Sequence, residues 1–499
     1  MTTPITDVLV IGGGINGAGI ALDAAGRGLS VTLCEMKDLA SATSSASSKL
    51  IHGGLRYLEQ FEFRLVHEAL AERETLLHAA PHIIWPLRFR LPHRPHLRPA
   101  WMIRLGLWLY DHLARRDRLP GSKALRLSEH GPLQPHLRRA FEYSDAWVDD
   151  ARLVVLCALA ARERGALILP RTRCTRAIRE NGLWRVRLES ENGDSRTLWA
   201  RTLVNAAGPW ASTMFDTVLS SPAPARLRLV KGSHMVVPRI YDTDEAYILQ
   251  NRDGRIVFVL PYEQDYSLIG TTDVDHHGDP ATVSASNEEI DYLCNVVNAH
   301  FRRQITPADV VYHYAGVRPL MAEGNGEARK ASRDYRLLLD TSDGEAPLLS
   351  VFGGKITTFR ALAEDALNKL AVFLPQATGP WTTQLVLPGG DFHDHAALTT
   401  ELTHDFPWLP EPVMHRYVRS YGTRCRRFLQ DGKSIEDLGE HLGAGLYAKE
   451  LDYLMQEEWA RTADDVLWRR SKLGLRFTRA QRQQLNEYME ATLTSPAQT

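Results

Sequence analysis

The first 35 residues contain two short apolar runs separated by a segment rich in glycine and alanine. After Asp7, the run to Ile11 consists of Val, Leu and Ile, as expected for a strand of a parallel sheet that is buried on both faces. A glycine cluster and an alanine-rich segment follow, and Ser30–Glu35 is predicted to be a second strand. This order of elements predicts a βαβ unit.

Further along the chain, the spacing of apolar residues changes between helical and strand-like. Apolar positions three and four residues apart predict helices over 61–80 and 151–163. Short apolar runs predict strands at 166–170, 183–188 and 202–205 that return to the first sheet.

A chain of 499 residues exceeds what one hydrophobic core organises, so two or three domains are expected. The patterns divide it into segments with distinct structural characters. The predicted segments are a dinucleotide-binding segment (1–80), a substrate or cap insertion (81–150), a return to the dinucleotide-binding domain (151–225), an antiparallel substrate domain rich in strand patterns (226–340), a strand and helix of the first domain (341–376), a linker (377–390) and an almost wholly helical C-terminal domain (391–499).

Composition narrows the class of protein. Hydrophobic residues make up 44% and charged residues 24%, which is typical of a globular chain, and the net charge of −1 gives no electrostatic reason to expect nucleic acid as a partner. Five scattered cysteines argue against a disulfide framework and a zinc site, so no metal is predicted. We expect neither a signal peptide nor a transmembrane span, so membrane contact should be peripheral.

The glycine cluster fits a known dinucleotide-binding pattern. Residues 12–17 match G-x-G-x-x-G between a predicted strand and a predicted helix, which is the context that the motif requires. Gly12 would permit the tight turn, Gly14 the approach of a pyrophosphate, and Gly17 close packing of helix and strand. Glu35 would accept hydrogen bonds from ribose hydroxyls. The motif alone does not distinguish FAD from NAD.

A polar loop, SATSSASSK at 41–49, follows the second strand. Its composition favours a solvated turn. Its position directly after Glu35 favours hydroxyl and N–H groups that face the cofactor.

Seven further segments are distinctive: SSASSKLIHGGLRYL (44–58), LVNAAGPWA (203–211), KGSHMVVP (231–238), IGTTD (269–273), AGVRPL (315–320), FGGKITTFR (352–360) and EEWARTADDVLWRRSKLGL (457–475). Together they resemble one family, the FAD-dependent glycerol-3-phosphate dehydrogenases of the bacterial aerobic, membrane-associated type. The resemblance runs from residue 5 to about residue 475.

The resemblance implies an α/β flavoprotein with a glutathione-reductase-like FAD-binding Rossmann domain, an antiparallel β substrate domain and an α-helical C-terminal cap domain. It implies FAD as cofactor and oxidation of sn-glycerol 3-phosphate to dihydroxyacetone phosphate, with hydride transfer from C2 to flavin N5. It further implies reoxidation by ubiquinone or menaquinone, a homodimer, and a peripheral place on the cytoplasmic face of the inner membrane.

The phosphate of such a substrate requires cations. Arg318 and Arg333 are the first candidates, with Arg56 as a third, because planar guanidinium groups match phosphate oxygens in pairs. A solvated surface charge is the alternative for each arginine. Arg318 lies between Val317 and Pro319 after a strand, which is an unusual place for a purely solvated charge.

Lys355 follows two glycines and opens a predicted helix, where a cation opposes the helix dipole. This placement indicates an anion nearby, either reduced flavin or substrate. The N–H groups of Ile356, Thr357 and Thr358 are expected to face flavin O2. A tight strand-to-helix turn with an incidental lysine is the alternative.

A proton acceptor is also needed. His52, before Gly53-Gly54, is a candidate because the pKa of histidine lies near neutral pH. A histidine packed beneath the flavin is the alternative reading, and His234 and Lys355 are rival bases. Thr271 and Tyr57 are candidate hydrogen-bonding partners of the substrate. The catalytic set is thus His52, Lys355, Arg318 and Arg56, and the substrate-binding set is Arg318, Arg333, Arg56, Tyr57, Lys355, Thr271 and His234.

The predicted cofactor-binding set comes from five stretches of the chain, including the one around Asn205–Gly208 that resembles the family's second flavin contact. The set is Gly12, Gly14, Ile15, Asn16, Gly17, Glu35, Ser44, Ser45, Ser47, Ser48, Lys49, Leu50, His52, Gly53, Gly54, Ala207, Gly208, Gly354, Lys355, Ile356, Thr357 and Thr358.

Residues 88–123 combine nine Arg or Lys with two Asp, a local charge of +7, and interleave them with apolar and aromatic side chains. Such a segment can lie among the headgroups of an anionic membrane. A cap over the active site with a solvated basic face is the alternative.

Three rival functions are distinguishable by experiment. An amine oxidase of the same fold would need a clamp for a carboxylate, and a glycerol-3-phosphate oxidase would use O2 and give peroxide. A nucleic-acid-binding protein using 88–123 would carry no flavin.

Overall fold

The computed structural model describes residues 5–94, 98–251, 253–321, 334–341 and 344–494. Its first elements are strand Ile5–Ile11, helix Ile15–Gly26 and strand Val31–Cys34, as the apolar pattern predicts. Val8 and Val10 join one hydrophobic cluster, whereas Leu9 and Ile11 join another. Both faces of the first strand are therefore covered, which explains why its sequence shows no polar alternation.

The described residues form strands and helices over the whole chain. The strands are β1 (Ile5–Ile11), β2 (Val31–Cys34), β3 (Leu50–Ile51), β4 (Ile84–Pro92), β5 (Lys123–Arg126), β6 (Arg139–Val148), β7 (Leu167–Leu169), β8 (Thr172–Glu180), β9 (Leu183–Ser190), β10 (Ser195–Asn205), β11 (Leu227–Pro238), β12 (Ala246–Gln250), β13 (Ile256–Tyr262), β14 (Tyr266–Gly270), β15 (Val274–Asp275), β16 (Tyr312–Met321), β17 (Arg336–Asp340), β18 (Leu348–Phe352), β19 (His441–Gly443) and β20 (Leu446–Tyr447). The α-helices are α1 (Ile15–Gly26), α2 (Phe63–Ala79), α3 (Ala100–His112), α4 (Asp150–Glu163), α5 (Asn287–Asn298), α6 (Phe359–Leu370), α7 (His395–Asp405), α8 (Glu411–Tyr421), α9 (Arg426–Leu429), α10 (Ala448–Glu457) and α11 (Arg479–Thr494).

The first sheet has the strand order β17-β18-β10-β1-β2-β7, and the β8–β9 hairpin joins it through β10. Strands β18, β10, β1, β2 and β7 run parallel. Helix α1 packs between the sheet and helices α4 and α6 in one hydrophobic cluster. The glycine loop therefore leaves the carboxyl edge of β1, where open α/β sheets bind their ligands.

One strand lies in a different sheet from the one that its sequence position predicts. The pattern at 335–340 predicts a strand of the antiparallel substrate domain, but β17 pairs antiparallel with β18 in the first sheet. The connection from β17 to β18 is short, and strands joined by short connections usually pair with each other. The strand pattern is thus right and its assignment to the second sheet is wrong.

The second sheet has the order β15-β11-β14-β13-β12-β4-β6-β3, with β16 paired to β11 and β5 to β6. All of these pairs are antiparallel except β12–β4. Strands β4, β5 and β6 come from the predicted insertion at 81–150, so this sheet is assembled from segments far apart in sequence. Its strand β3 ends two residues before Gly53, which brings the sheet up to the predicted site.

The C-terminal residues form their own hydrophobic cluster, built mainly by helices α7, α8, α10 and α11. The prediction of a helical domain is confirmed, with one short hairpin, β19–β20, that the helical pattern misses. Two- and three-residue strands with a Gly-Ala-Gly turn are too short to show a period of two. Within the described ranges, no helix is both long and apolar enough to cross a membrane.

Candidate active site

The glycine loop follows a path that side chains would block. Gly12 has φ +115°, and a Cβ there would lie 2.4 Å from the Ala206 carbonyl oxygen. A Cβ on Gly17 would lie 1.9 Å from the Gly12 carbonyl oxygen. The loop can therefore approach β10 and the start of α1 closely only because these positions are glycine.

Glu35 braces this loop. Its carboxylate accepts hydrogen bonds from the N–H groups of Gly13 (2.7 Å) and Lys37 (2.9 Å). Burial raises the pKa of Glu35, although these two N–H groups oppose the shift. The carboxylate predicted to bind ribose thus also holds the glycine loop in shape.

The serine loop divides into two parts. Ser44 and Ser45 line the cleft beside the glycine loop, and the Ser44 hydroxyl accepts a hydrogen bond from the Ile15 N–H at 3.0 Å. Ser47 donates to Asp150 (2.7 Å), and Ser48 bonds to the His234 ring (2.9 Å).

Lys49 and Leu50 complete the loop. Lys49 lines the cleft, but its ammonium group is buried and forms an ion pair with Asp150 at 2.7 Å. Leu50 is buried at the start of β3. The charge of Lys49 therefore anchors the loop to the first turn of α4.

The cleft between these loops and the carboxyl ends of β1, β2 and β10 has a volume of about 670 Å³. Asn16 donates to the Gly353 carbonyl (3.1 Å), and its buried Oδ1 has no hydrogen-bond partner among the described residues. An unsatisfied buried acceptor in a glycine-lined cleft fits a bound polar ligand such as a dinucleotide. The predicted residues that line the cleft are Gly12, Gly14, Ile15, Asn16, Glu35, Ser44, Ser45, Lys49, Ala207, Gly208 and Gly354.

The C-terminal domain also lines this cleft, through Trp468, Arg469, Lys472 and Arg482. Trp468 stacks on Tyr312 of β16 with ring centroids 3.9 Å apart. The family-like segment 457–475 contains Trp468, Arg469 and Lys472, but sequence reasoning assigns them no role at the site, because they follow the glycine loop by some 450 positions. Only the docking of the C-terminal domain shows that they belong to the site.

A second group of predicted residues converges around the His52–Gly54 turn. The His52 N–H donates to the Thr357 hydroxyl at 3.3 Å, and the Lys355 ammonium group lies 4.0 Å from the centroid of the Tyr57 ring. Lys355 is half-buried, and no carboxylate of the described residues lies within ion-pair distance of it. The two family-like segments, 44–58 and 352–360, thus meet in space.

Lys355 caps a 3-10 turn, Ile356–Thr358, and α6 begins directly after it at Phe359. The helix predicted to start at Lys355 therefore opens with a tighter turn. Thr357 and Thr358 are buried, and Ile356 packs against the first hydrophobic cluster.

A third group lies on the second sheet. A Cβ on Gly232 would lie 2.5 Å from Thr271 Oγ1 and 2.6 Å from Arg318 Nη2, so these two side chains meet over Gly232. Arg318 donates to the Thr272 carbonyl (2.7 Å) and pairs with Asp273 (2.8 Å). Arg318 is thus already partnered by a carboxylate, which the sequence pattern does not reveal. Arg333 lies outside the described residues.

His234 is a buried ring stacked on Tyr314, with centroids 4.9 Å apart. Burial, and then the positive charges of Lys49 and Arg318, lower the pKa of His234 to about 3. The ring is therefore neutral at physiological pH and a weak base.

Family models match nearly the whole chain. One described as "FAD dependent oxidoreductase" matches residues 7–360, and one described as "C-terminal domain of alpha-glycerophosphate oxidase" matches residues 380–494.

Curated relatives are similar over their full length. The chain is 56% identical to the glycerol-3-phosphate dehydrogenase of Pseudomonas aeruginosa over 98% of this chain and 95% of that one. It is 54% identical to the aerobic glycerol-3-phosphate dehydrogenase of Escherichia coli, covering 97% of each. It is 50% identical to the D-erythritol 1-phosphate dehydrogenase of Brucella abortus over 98% and 99%.

Solved structures agree on the fold. The glycerol-3-phosphate dehydrogenase of Bacillus halodurans, complexed with FAD, matches with TM-score 0.73 and 26% identity over 99% of this chain and 95% of that one. The glycine oxidase of Bacillus cereus matches with TM-score 0.55 and 19% identity over 73% and 95%, which shows the fold alone.

The two sheets, the glycine-lined cleft and the first family model define an FAD-dependent oxidoreductase, and FAD is its cofactor. The relatives that match over nearly the full length identify the family within this class. The chain belongs to the FAD-dependent glycerol-3-phosphate dehydrogenase family.

Proposed function

We propose that the protein oxidises sn-glycerol 3-phosphate to dihydroxyacetone phosphate. The observation that carries the proposal is the meeting of Lys355, Tyr57 and the His52–Gly54 turn, which places a half-buried cation without a carboxylate partner among the described residues. A phosphate dianion can supply that missing charge. The names of the P. aeruginosa and E. coli relatives support the same substrate.

FAD supplies the hydride acceptor when bound. The glycine loop, Glu35, Ser44 and Ser45 would hold its dinucleotide part, since they line the cleft at the α1 N-terminus. Ala207, Gly208 and Gly354 line the same cleft with little or no side chain, so they would let the backbone come close to the cofactor.

Lys355 and Arg56 are the proposed phosphate ligands. Arg56 is half-buried in the 3-10 turn Leu55–Gln60, next to Tyr57, and it forms no ion pair with a described carboxylate. Arg318 is a weaker candidate than its sequence position indicates, because Asp273 already balances its charge. Thr271 beside it can hydrogen-bond a substrate hydroxyl.

His52 is the proposed acceptor of the hydroxyl proton. Its rival His234 is buried, bonded to Ser48 and lowered in pKa to about 3, so it would accept a proton poorly near neutral pH. His52 is half-buried and lies in the turn that meets Lys355 and Thr357.

Membrane attachment, quinone reduction and dimerisation extend the proposal. Helix α3 exposes Trp101, Leu105 and Trp108, and the nearby Phe61 is 78% exposed. Arg98, just before α3, pairs with Glu59 of the turn that ends at Phe61, so these apolar side chains belong to neighbouring segments. An exposed apolar patch of this kind suits a peripheral site on the inner face of the cytoplasmic membrane, where ubiquinone or menaquinone would be accessible. A homodimer is proposed from the family resemblance.

The decisive experiment is anaerobic bleaching of the bound flavin by candidate substrates. sn-Glycerol 3-phosphate should bleach the flavin rapidly, and glycine should not. D-Erythritol 1-phosphate is the necessary comparison because the D-erythritol 1-phosphate dehydrogenase of Brucella abortus is 50% identical to this chain. Faster bleaching by erythritol phosphate would replace the proposed substrate with a four-carbon one.

Variants test the phosphate ligands. Lys355→Ala should raise the substrate concentration for half-maximal bleaching at least about tenfold, since one charge-assisted contact is lost. Arg185→Ala, an exposed arginine of β9, is the control and should leave it unchanged. If both variants needed the same substrate concentration for half-maximal bleaching, Lys355 would be excluded from the phosphate site.

A further inference from the structure

The His52–Gly54 turn is held by a buried network that includes a residue of α3. The Gly53 N–H donates to the Tyr110 hydroxyl at 2.8 Å, and this hydroxyl donates to Asp145 at 2.7 Å. Asp145 forms an ion pair with Arg73 at 2.8 Å. Tyr110, Asp145 and Arg73 are each at most 2% exposed, so the network is shielded from water.

This network takes the place of backbone hydrogen bonds to a neighbouring strand beyond the end of β3. Strand β3 pairs with β6 through Leu50–Trp147 and Ile51–Ala146, and the ladder ends there. Gly53 is the next buried position, and its N–H donates to two side chains, the Tyr110 hydroxyl at 2.8 Å and, more weakly, the Asp145 carboxylate at 3.4 Å, instead of a strand carbonyl. A Cβ on Gly53 would lie 2.7 Å from the Tyr110 oxygen, so the contact requires this glycine.

The conformation after Gly53 depends on this contact. Gly54 has φ +74° and begins the 3-10 turn that carries Arg56 and Tyr57, and Tyr57 in turn holds Lys355. Without the Tyr110 hydroxyl, the buried Gly53 N–H would keep only the long contact to Asp145 at 3.4 Å, and the turn would shift towards a better acceptor. Burial raises the pKa of Tyr110, which keeps its hydroxyl protonated as a donor to Asp145.

We propose that Tyr110 is a positioning residue of the substrate site, which ties the His52–Gly54 turn and the cations beyond it to helix α3. It contacts neither substrate nor cofactor in this proposal. It acts by fixing the Gly53 N–H and thereby the placement of Arg56, Tyr57 and Lys355. The part that concerns substrate rests on the proposed function, but the link between α3 and the turn does not.

Tyr110→Phe tests the proposal, with Tyr143→Phe as the matched control. Tyr143 is buried in the same cluster and contacts Tyr110 edge to face at 5.6 Å, but within the described part of the chain its hydroxyl bonds to neither Gly53 nor Asp145. In the FAD-bound protein without substrate, Tyr110→Phe should speed hydrogen exchange of the Gly53 amide roughly tenfold, and Tyr143→Phe should not. Asp145→Asn, which keeps the shape but weakens the acceptor, should give a smaller change in the same direction.

Steady-state kinetics supply the second readout. Tyr110→Phe should raise KM for glycerol 3-phosphate about tenfold and change kcat less, because the cations are displaced while the cofactor is retained. Equal exchange at Gly53 in the two Phe variants would overturn the link, and faster exchange with unchanged KM would overturn the positioning role. If the wild-type protein does not oxidise glycerol 3-phosphate, the proposed function fails while the exchange measurement still decides the link.

Discussion

At the scale of single residues, His234 is a histidine that the fold keeps neutral. The unfolded chain would bind a proton at this residue below about pH 6.5, whereas the folded protein does so only near pH 3. Between these values the unfolded state holds more protons, so stability falls as the pH is lowered through this window.

His234→Gln should therefore reduce the acid sensitivity of the protein. The loss in unfolding free energy between pH 7 and pH 5 should be about 2 kcal/mol smaller in this variant than in the wild type. Denaturant unfolding at both pH values measures this loss in unfolding free energy. His130→Gln, at an exposed position, serves as the control. An unchanged loss in His234→Gln would show that the ring is protonated in the folded state.

Residue identity alone predicted the backbone shape of the glycine loop. The glycines of the first loop are dictated by steric limits that apply wherever the motif occurs, and the positive φ of Gly12 follows that expectation. The partners of charged residues could not be predicted in this way. Asp150 neutralises Lys49 and Asp273 neutralises Arg318, and neither carboxylate is close in sequence to its partner.

At the scale of elements, α3 combines two surfaces. Trp101, Leu105 and Trp108 are 66%, 50% and 51% exposed, whereas Leu107 and Tyr110 are buried.

Fewer basic residues around α3 are free to contact anionic lipids than the local charge of +7 implies. Arg88, Arg90 and Lys123 pair with Glu142, and Arg116 pairs with Asp111. We therefore expect apolar insertion to contribute more to membrane binding than charge.

Vesicle sedimentation tests this expectation. The double variant Trp101→Ser, Trp108→Ser should bind phosphatidylglycerol–phosphatidylcholine vesicles at least about tenfold more weakly, since two half-exposed indoles no longer enter the lipid. Val372→Ser, which changes a 77% exposed residue elsewhere, is the control. High salt, or Arg115→Glu, should weaken binding only partly. Complete release by salt would show that charge dominates after all.

At the scale of the whole molecule, ion pairs with little exposure join the C-terminal domain to the first domain. The Asp38 carboxylate, after β2, accepts hydrogen bonds from Arg469 at 2.5 Å and from Arg470 at 2.8 Å. Arg152 of α4 forms an ion pair with Glu458. Asp38 and Arg470 are buried. A buried pair that loses one partner is strongly destabilised, because the other charge stays uncompensated.

Asp38→Ala should lower the unfolding free energy by about 3–5 kcal/mol and speed chymotrypsin cleavage within residues 377–390, which include Trp381 and Leu385. Glu180→Ala removes one partner of an exposed pair with Arg185 and should cost less than about 1 kcal/mol. Denaturant unfolding and limited chymotrypsin digestion of the FAD-bound protein measure both effects. If the two variants were equally stable, the buried pairs would not hold the domain in place.

The sequence by itself determined the local elements and the cofactor motif, because strand burial, helical spacing and glycine sterics act between neighbours in the chain. The tertiary structure decided which sheet receives β17, which charges are neutralised and which C-terminal side chains line the cleft. It also decided that Tyr110, on a helix with an exposed apolar face, satisfies the Gly53 N–H. These outcomes depend on contacts between segments tens to hundreds of residues apart, which no local pattern records.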